Sequence, residues 1–105
     1  VVVPMSETVN VIQKLKAHDI NYFLDWGGSL IWLQIENLNL KILKEIRDIT
    51  KIHSGYFTII KIEEDLKASA DIFTIDPIKY KISEKIKKSF DPKRIFNPGK
   101  MYSGI

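Results

Sequence analysis

Few side chains in this sequence could carry out chemistry by themselves. His18 and His53 are the only imidazoles, and no second type of ligand clusters near either of them. We expect both to lie near helix C-termini, where a cation also suits the helix dipole. The absence of cysteine excludes disulfides, thiolate metal ligands and a cysteine nucleophile. Ser29 and Ser54 lack the strand–turn–helix context of a nucleophilic serine. We therefore assign no catalytic residue and predict no metal site.

The glycines do not form a phosphate-binding loop. Gly27 and Gly28 follow a strand-like segment, but another strand-like segment comes next, whereas a phosphate loop leads into a helix. We interpret the pair as a two-residue hairpin turn between residues 20–26 and 29–36. On the residues alone, this chain is not expected to bind a dinucleotide.

The most distinctive segment is the tail, residues 90–102, which reads FDPKRIFNPGKMY. Pro92 and Pro98 keep it out of a helix, and Gly99 invites a turn with positive φ. Ile95 and Phe96 lie between the turns and need an apolar surface to bury them. A disordered tail does not usually combine rigid turns with an apolar plug, so we expect this one to be docked.

Two motifs resemble a known family. The tail pattern Phe-Asp-Pro-x-x-Ile-x-Asn-Pro-Gly-Lys resembles the C-terminal signature of FAD-linked oxidases of the vanillyl-alcohol oxidase type. The pattern Asp-Trp-Gly-Gly-x-Leu-x-Trp-Leu, which begins at Asp25, resembles a hairpin of the FAD-binding E subunit of bacterial glycolate oxidase. Residues 54–59 and 1–4 resemble two further segments of that subunit, in the same order along the chain.

The resemblance implies a ferredoxin-like C-terminal domain that covers a flavin held mainly by a separate FAD-binding domain. We expect that N-terminal FAD domain to be absent from this chain, and the partner to be a separately encoded FAD-binding domain or glycolate-oxidase-like subunits. The implied activity is FAD-dependent oxidation of a 2-hydroxy acid such as glycolate, without turnover by this chain alone.

The resemblance also suggests which residues matter. Residues that match the hairpin motif are Asp25, Trp26, Gly27 and Gly28; those that match the tail motif are Asp91, Pro92, Asn97, Pro98, Gly99 and Lys100. Asn97, Gly99 and Lys100 are expected near the flavin, whereas Asp91, Pro92 and Pro98 are expected to shape the turn. Tyr56 stands where relatives tend to have histidine, so no catalytic base is carried over.

The elements that would position these motifs follow the order β-α-β-β-α-β, with a further helix at the C-terminus. This order predicts an α+β fold: a ferredoxin-like split βαβ antiparallel sheet with helices on one face and a docked tail. Predicted strands cover residues 1–3, 20–26, 29–36 and 56–62. Predicted helices cover about residues 7–17, capped by Ser6 and burying Val9, and about 40–53, capped by Asn37 or Asn39. The last helix follows Asp76 and Pro77 and carries Ile78, Ile82, Ile86 and Phe90 at four-residue spacing.

Composition favours a single domain over residues 1–105. Apolar residues make up 45% and charged residues 28%, and no apolar run is long enough to span a bilayer. The opening without methionine suggests a gene fragment, and a cytoplasmic location is expected, with any membrane association made through a complex.

The charge is unevenly distributed along the chain. Residues 77–105 hold eight Lys or Arg and two acidic residues, whereas residues 1–76 hold eight Lys or Arg and eleven acidic residues. The basic end leaves an alternative open, a ferredoxin-like module that binds RNA or protein, and a non-functional remnant of a split gene is a third reading.

Overall fold

The computed structural model describes residues 1–67, 69–74, 76–100, 102 and 105. These residues form two compact units, Val1–Ala70 and Asp71–Ile105. The fold is α+β, as the sequence predicts, with a two-stranded antiparallel sheet and several helices. A single domain over residues 1–105 stays a prediction.

The helices of the first unit are α1 (Thr8–Leu15), α2 (Leu40–Ile52) and the short α3 (Glu64–Lys67). Of the two asparagines predicted to cap α2, Asn39 does so: its side-chain oxygen accepts a hydrogen bond of 3.0 Å from the backbone N of Ile42. Before α1, a 3-10 turn over Met5–Glu7 replaces the predicted Ser6 cap, and the side chain at the N-cap makes no capping bond. The prediction that Val9 is buried was wrong. Thr8, Val11, Ile12 and Leu15 form the buried face of α1 instead.

The sheet consists of β1 (Ile20–Asp25) and β2 (Leu30–Ile35), paired so that Ile20 is opposite Ile35 and Asp25 is opposite Leu30. Val2 forms antiparallel bridges to Leu30 on one side and to Tyr56 on the other. Four segments therefore lie side by side in the order residue 56, residue 2, β2, β1. Because β2 separates Val2 from β1, this is the split βαβ arrangement of a ferredoxin-like sheet. The predicted strand over residues 56–62 is reduced to bridge positions at Tyr56 and Thr58.

Both longer helices cover the same face of the sheet. The sheet contributes Val3, Ile31 and Phe57 to the core, α1 contributes Val11, Ile12 and Leu15, and α2 contributes Leu43 and Ile46. Side chains alternate between the two faces of a strand, so Leu30, Trp32 and Gln34 lie on the face away from these helices. Trp32 and its opposite residue Phe23 are both exposed there.

Gly55 permits a close approach between the end of α2 and the first segment. A Cβ atom at residue 55 would lie 2.4 Å from Cγ1 of Val3 and 2.5 Å from the carbonyl oxygen of Val2. The residue with positive φ at this helix end is Ser54 (φ 56°). Gly55 is therefore required by packing against the Val1–Val3 segment.

Candidate functional site

The second unit is organised by α4 (Pro77–Phe90), and its start follows the prediction. An oxygen of the Asp76 side chain accepts hydrogen bonds of 2.9 Å from the backbone N atoms of Ile78 and Lys79. The bond from Lys79 is the larger cause of a lowered pKa of Asp76, because it stabilises the charged carboxylate. Proline at the first helical position costs no hydrogen bond. Residues 76–79 therefore fix where α4 begins.

Asp91 joins the end of α4 to the tail. Its two carboxylate oxygens accept hydrogen bonds of 2.9 Å from the backbone N atoms of Ile95 and Phe96. Lys87, one helical turn earlier, places its Nζ atom 2.7 Å from Oδ2 of Asp91 and also donates to the carbonyl oxygen of Phe96. Asp91 is buried, unlike the rest of the tail as described. As expected, its role is to shape the turn.

The hydrogen bond with Lys87 is the largest cause that lowers the pKa of Asp91, to about 2, and the backbone bonds from Ile95 and Phe96 add to it. A carboxylate that accepts several hydrogen bonds is held in its charged form. At neutral pH Lys87 and Asp91 therefore form an intact ion pair that joins the helix to the tail. We call this ion pair, with its hydrogen bonds to residues 95 and 96, the Asp91 clasp. Sequence reasoning missed Lys87, although its spacing of four residues from Asp91 on a helix was a usable signal.

The structure brings the three predicted flavin-site residues together in one exposed turn. The backbone N of Lys100 donates to the carbonyl oxygen of Asn97 over 3.2 Å, and the backbone N of Gly99 donates to that of Ile105 over 2.7 Å. Asn97 (φ 46°) and Gly99 (φ 69°) both adopt left-handed backbone conformations. The backbone donors of Gly99 and Lys100 are thus already used, and the side chains of Asn97 and Lys100 make no hydrogen bond with any residue described by the structure.

The apolar stripe of α4 is uncovered. Ile78, Ile82, Ile86 and Phe90 lie at four-residue spacing, and their exposed fractions run from 53% for Ile82 to 85% for Phe90. Ile95 and Phe96 of the tail are 67% and 69% exposed. The tail is docked by hydrogen bonds to Asp91 and Lys87. The expected burial of Ile95 and Phe96 does not occur among the residues that the structure describes. We refer to these six residues as the α4 stripe.

Aromatic contacts hold the far end of the tail. The ring centroid of Tyr102 is 5.9 Å from that of Phe73 and 6.2 Å from that of Tyr80, in tilted and edge-on geometry. Such arrangements are favourable because the positive edge of one ring meets the negative face of another. Tyr102 thus anchors the segment beyond the turn at residues 97–100.

The hairpin motif of the first unit forms a turn longer than the predicted two residues. Trp26, Gly27 and Gly28 all have positive φ, and the Asp25 side chain accepts a hydrogen bond of 2.8 Å from the backbone N of Trp26. The Thr8 hydroxyl donates to the carbonyl oxygen of Gly28 over 2.6 Å and ties the turn to α1. The matched residues therefore have a structural role.

A stacked aromatic pair lies beside this turn on the open face of the sheet. The ring centroids of Phe23 and Trp32 are 5.8 Å apart, with an interplanar angle of 16°. The two residues are directly opposite in the β1–β2 register. Sequence reasoning missed the pair, although aromatic residues opposite each other across a predicted hairpin are a recognisable signal.

Each histidine makes a structural pair. His18 Nε2 lies 2.7 Å from a carboxylate oxygen of Glu45, and His53 Nδ1 contacts a carboxylate oxygen of Glu7. The hydrogen bond to His53 is the main cause of a lowered pKa of Glu7.

Within the described ranges, no group of three or more His, Asp or Glu side chains could hold a metal ion. No helix among the described residues is long and apolar enough to cross a membrane.

One comparison with known proteins concerns the second unit. No curated protein and no solved structure matches the chain. Residues 73–101 match the family described as FAD linked oxidases, C-terminal domain. The match begins just before α4 and includes the Asp91 clasp and the turn at residues 97–100. It supports an FAD-linked oxidase-type C-terminal domain, carried by α4 and the tail.

Proposed function

We propose that this chain is the C-terminal domain of an FAD-dependent oxidase subunit for 2-hydroxy acids of the glycolate type, and that it acts only with an FAD-binding domain on another chain. The family match to residues 73–101 supports the oxidase class. FAD, when bound, would supply the two-electron oxidation. The chain described here would complete and close the site around it.

The observation that carries this proposal is the α4 stripe. Burial of one exposed side chain of this size contributes about 1.5–3 kcal/mol. Six such side chains left uncovered on one helix and its tail form a surface that needs a partner. The stripe lies in the segment that matches the oxidase family, so the partner that fits is the domain that holds the flavin.

The turn at residues 97–100 is the part of this chain that we assign to the flavin side. Lys100 offers an ammonium group and Asn97 a side-chain amide, and both side chains are exposed. These donors suit the oxygen atoms of a flavin or of a carboxylate substrate. The positive φ of Gly99 shapes the turn that presents both side chains.

The test is purification of the chain from its own cells, followed by flavin absorbance, identification of co-purifying chains and assay with glycolate. We expect a flavin-bearing partner, glycolate oxidation by the complex and none by the isolated chain. Recovery of a colourless, solitary chain at every salt concentration would contradict the proposal. A flavin-bearing complex that oxidises a different 2-hydroxy acid would support the assignment as an oxidase and would replace glycolate as the proposed substrate.

RNA binding is the second candidate, and the exposed Phe23–Trp32 stack favours it because aromatic rings on an open sheet can stack on bases. The charge of the hairpin argues against it. Residues 19–40 contain Asp19, Asp25 and Glu36 and no Lys or Arg, so the face that would carry bases would repel phosphates. Undetectable binding of single-stranded RNA at low salt would eliminate this candidate.

A further inference from the structure

The face of the hairpin that points away from α1 and α2 is aromatic at its centre and polar around it. Three directly opposite pairs of the β1–β2 register lie on this face: Asn21 and Gln34, Phe23 and Trp32, Asp25 and Leu30. We call it the open face. The two rings at its centre are stacked, and Phe23 is 61% exposed while Trp32 is 38% exposed. Because β1 is the edge strand, the Phe23 ring is the more accessible of the two.

Charge in this part of the chain is separated between the helices and the sheet. The Lys and Arg residues of positions 1–60 all lie within or directly after α1 and α2: Lys14, Lys16, Lys41, Lys44, Arg47 and Lys51. The hairpin contains Asp25 and no Lys or Arg, and Asp19 and Glu36 flank it on either side. The open face therefore combines exposed rings with negative charge alone.

One carboxylate oxygen on the open face is available to a partner. Oδ1 of Asp25 accepts a hydrogen bond of 2.8 Å from the backbone N of Trp26, and Oδ2 bonds to no residue that the structure describes. Phe23 and Asp25 are two residues apart on the same face of a strand, a separation of about 7 Å along the chain. A ring and a free carboxylate oxygen thus lie side by side.

We propose that the open face binds an arginine-containing segment of a partner protein, with a guanidinium group over the Phe23 ring and hydrogen-bonded to Asp25. A guanidinium group is planar, so it can stack on an aromatic ring and also donate two hydrogen bonds to a carboxylate. Aromatic residues and arginine are both enriched where proteins meet. The proposal does not depend on the flavin assignment.

The charge of the open face selects this partner over the other classes. A nucleic acid would bring phosphates to a face that carries only acidic groups. A purely apolar partner would desolvate Asp25 and the amides of Asn21 and Gln34 without pairing them, which is costly. A basic polypeptide satisfies the rings, the carboxylate and the amides together.

The experiment follows the fluorescence of Trp32 in a Trp26→Phe background, where Trp32 is the only tryptophan. The probe is the peptide acetyl-Gly-Arg-Gly-Arg-Gly-amide, titrated to about 10 mM because a short peptide binds weakly. Its control replaces both arginines by citrulline, which keeps the planar shape and removes the charge. We expect saturable binding of the arginine peptide and at least about fivefold weaker binding of the citrulline peptide.

Three protein variants locate the binding surface. Phe23→Leu removes the ring and keeps an apolar side chain, and Asp25→Asn removes the charge and keeps an oxygen for the backbone N of Trp26. We expect each to weaken binding of the arginine peptide by about twofold to fivefold. Tyr22→Leu is the matched control, because Tyr22 is an exposed aromatic residue on the opposite face of the same strand. It should bind the peptide like the parent.

Four outcomes would overturn the proposal. They are the absence of saturable binding, equal binding of the citrulline peptide, and a loss in Tyr22→Leu as large as that in Phe23→Leu. The fourth is a single-stranded RNA that quenches Trp32 at low salt and displaces the peptide, which would assign the open face to bases. If Phe23→Leu or Asp25→Asn unfolds, the two peptides still decide the question.

Discussion

Lys87 and Asp91 form the contact that determines where the tail lies. They are one helical turn apart, their charged atoms are 2.7 Å apart, and each also bonds to the backbone of residues 95–96. The helix end and the tail are thus held by one ion pair that is shielded from water on the Asp91 side. Shielding matters because exposed pairs contribute little to stability.

Asp91→Asn should release the tail. An amide has a single acceptor oxygen, so the variant loses the ion pair and at least one of the bonds from Ile95 and Phe96. We expect the amide protons of these two residues to exchange several-fold faster. Glu84→Gln is the matched control, because it removes only the more exposed pair with Lys88 at 3.3 Å. Unchanged exchange in Asp91→Asn would contradict the role of the clasp.

The clasp should also depend on pH in an acidic window. The pKa of Asp91 in the folded chain is about 2, below its ordinary value of 3.8. A depressed pKa means that the stabilisation is fully present above pH 3.8 and is lost as the pH falls through about 2. Protection of the Ile95 and Phe96 amides, taken relative to the intrinsic exchange rate at each pH, should fall over this interval. The carboxyl carbon shift of Asp91 should report the midpoint, and a midpoint near 3.8 would refute the assignment.

Gly55→Ala should destabilise the first unit by about 1–3 kcal/mol in free energy of unfolding, the usual cost of overpacking. The added methyl carbon would lie 2.5 Å from the Val2 carbonyl oxygen and 2.4 Å from Cγ1 of Val3, which is closer than non-bonded atoms approach each other. The control is Ser54→Gly at the neighbouring position, where positive φ favours glycine. Urea denaturation should separate the two variants. Equal stability would show that the Val1–Val3 segment does not pack closely here.

Ile82→Lys should leave folding intact and prevent assembly. Ile82 is 53% exposed, so we expect its replacement to change the free energy of unfolding by less than about 1 kcal/mol. A charge in the middle of the α4 stripe would have to be desolvated at an apolar interface, which is costly. Co-purification of the flavin-bearing partner measures the effect, and Lys81→Ala on the same helix is the control. Full retention of the partner by Ile82→Lys would exclude the stripe as the interface.

Local signals predicted the helices well. The caps at Asn39 and Asp76 use side chains adjacent to the helix starts, so they depend only on neighbouring residues. The error at Val9 has a physical cause. Val9 lies three residues before Ile12 and Val11 lies four residues before Leu15, so helical spacing fits both, and only packing against the sheet selects between them.

Non-local features could not be predicted in this way. The bridges of Val2 to Leu30 and Tyr56 join residues far apart in sequence, and local propensity does not reveal which segments pair. Spacing correctly placed Ile82 and Phe90 on one face of α4, but it could not show that the face is uncovered. Periodicity identifies an apolar face and carries no information about which chain covers it.

The uncovered α4 stripe also has a consequence for the behaviour of the isolated chain in solution. Its solubility limit should be set by this surface and not by the stability of its fold, because isoleucine side chains exposed at successive turns can associate between copies. Association of folded copies makes apparent melting temperatures rise with protein concentration. Light scattering and melting curves over a dilution series should therefore change together, and both should become independent of concentration in Ile82→Lys.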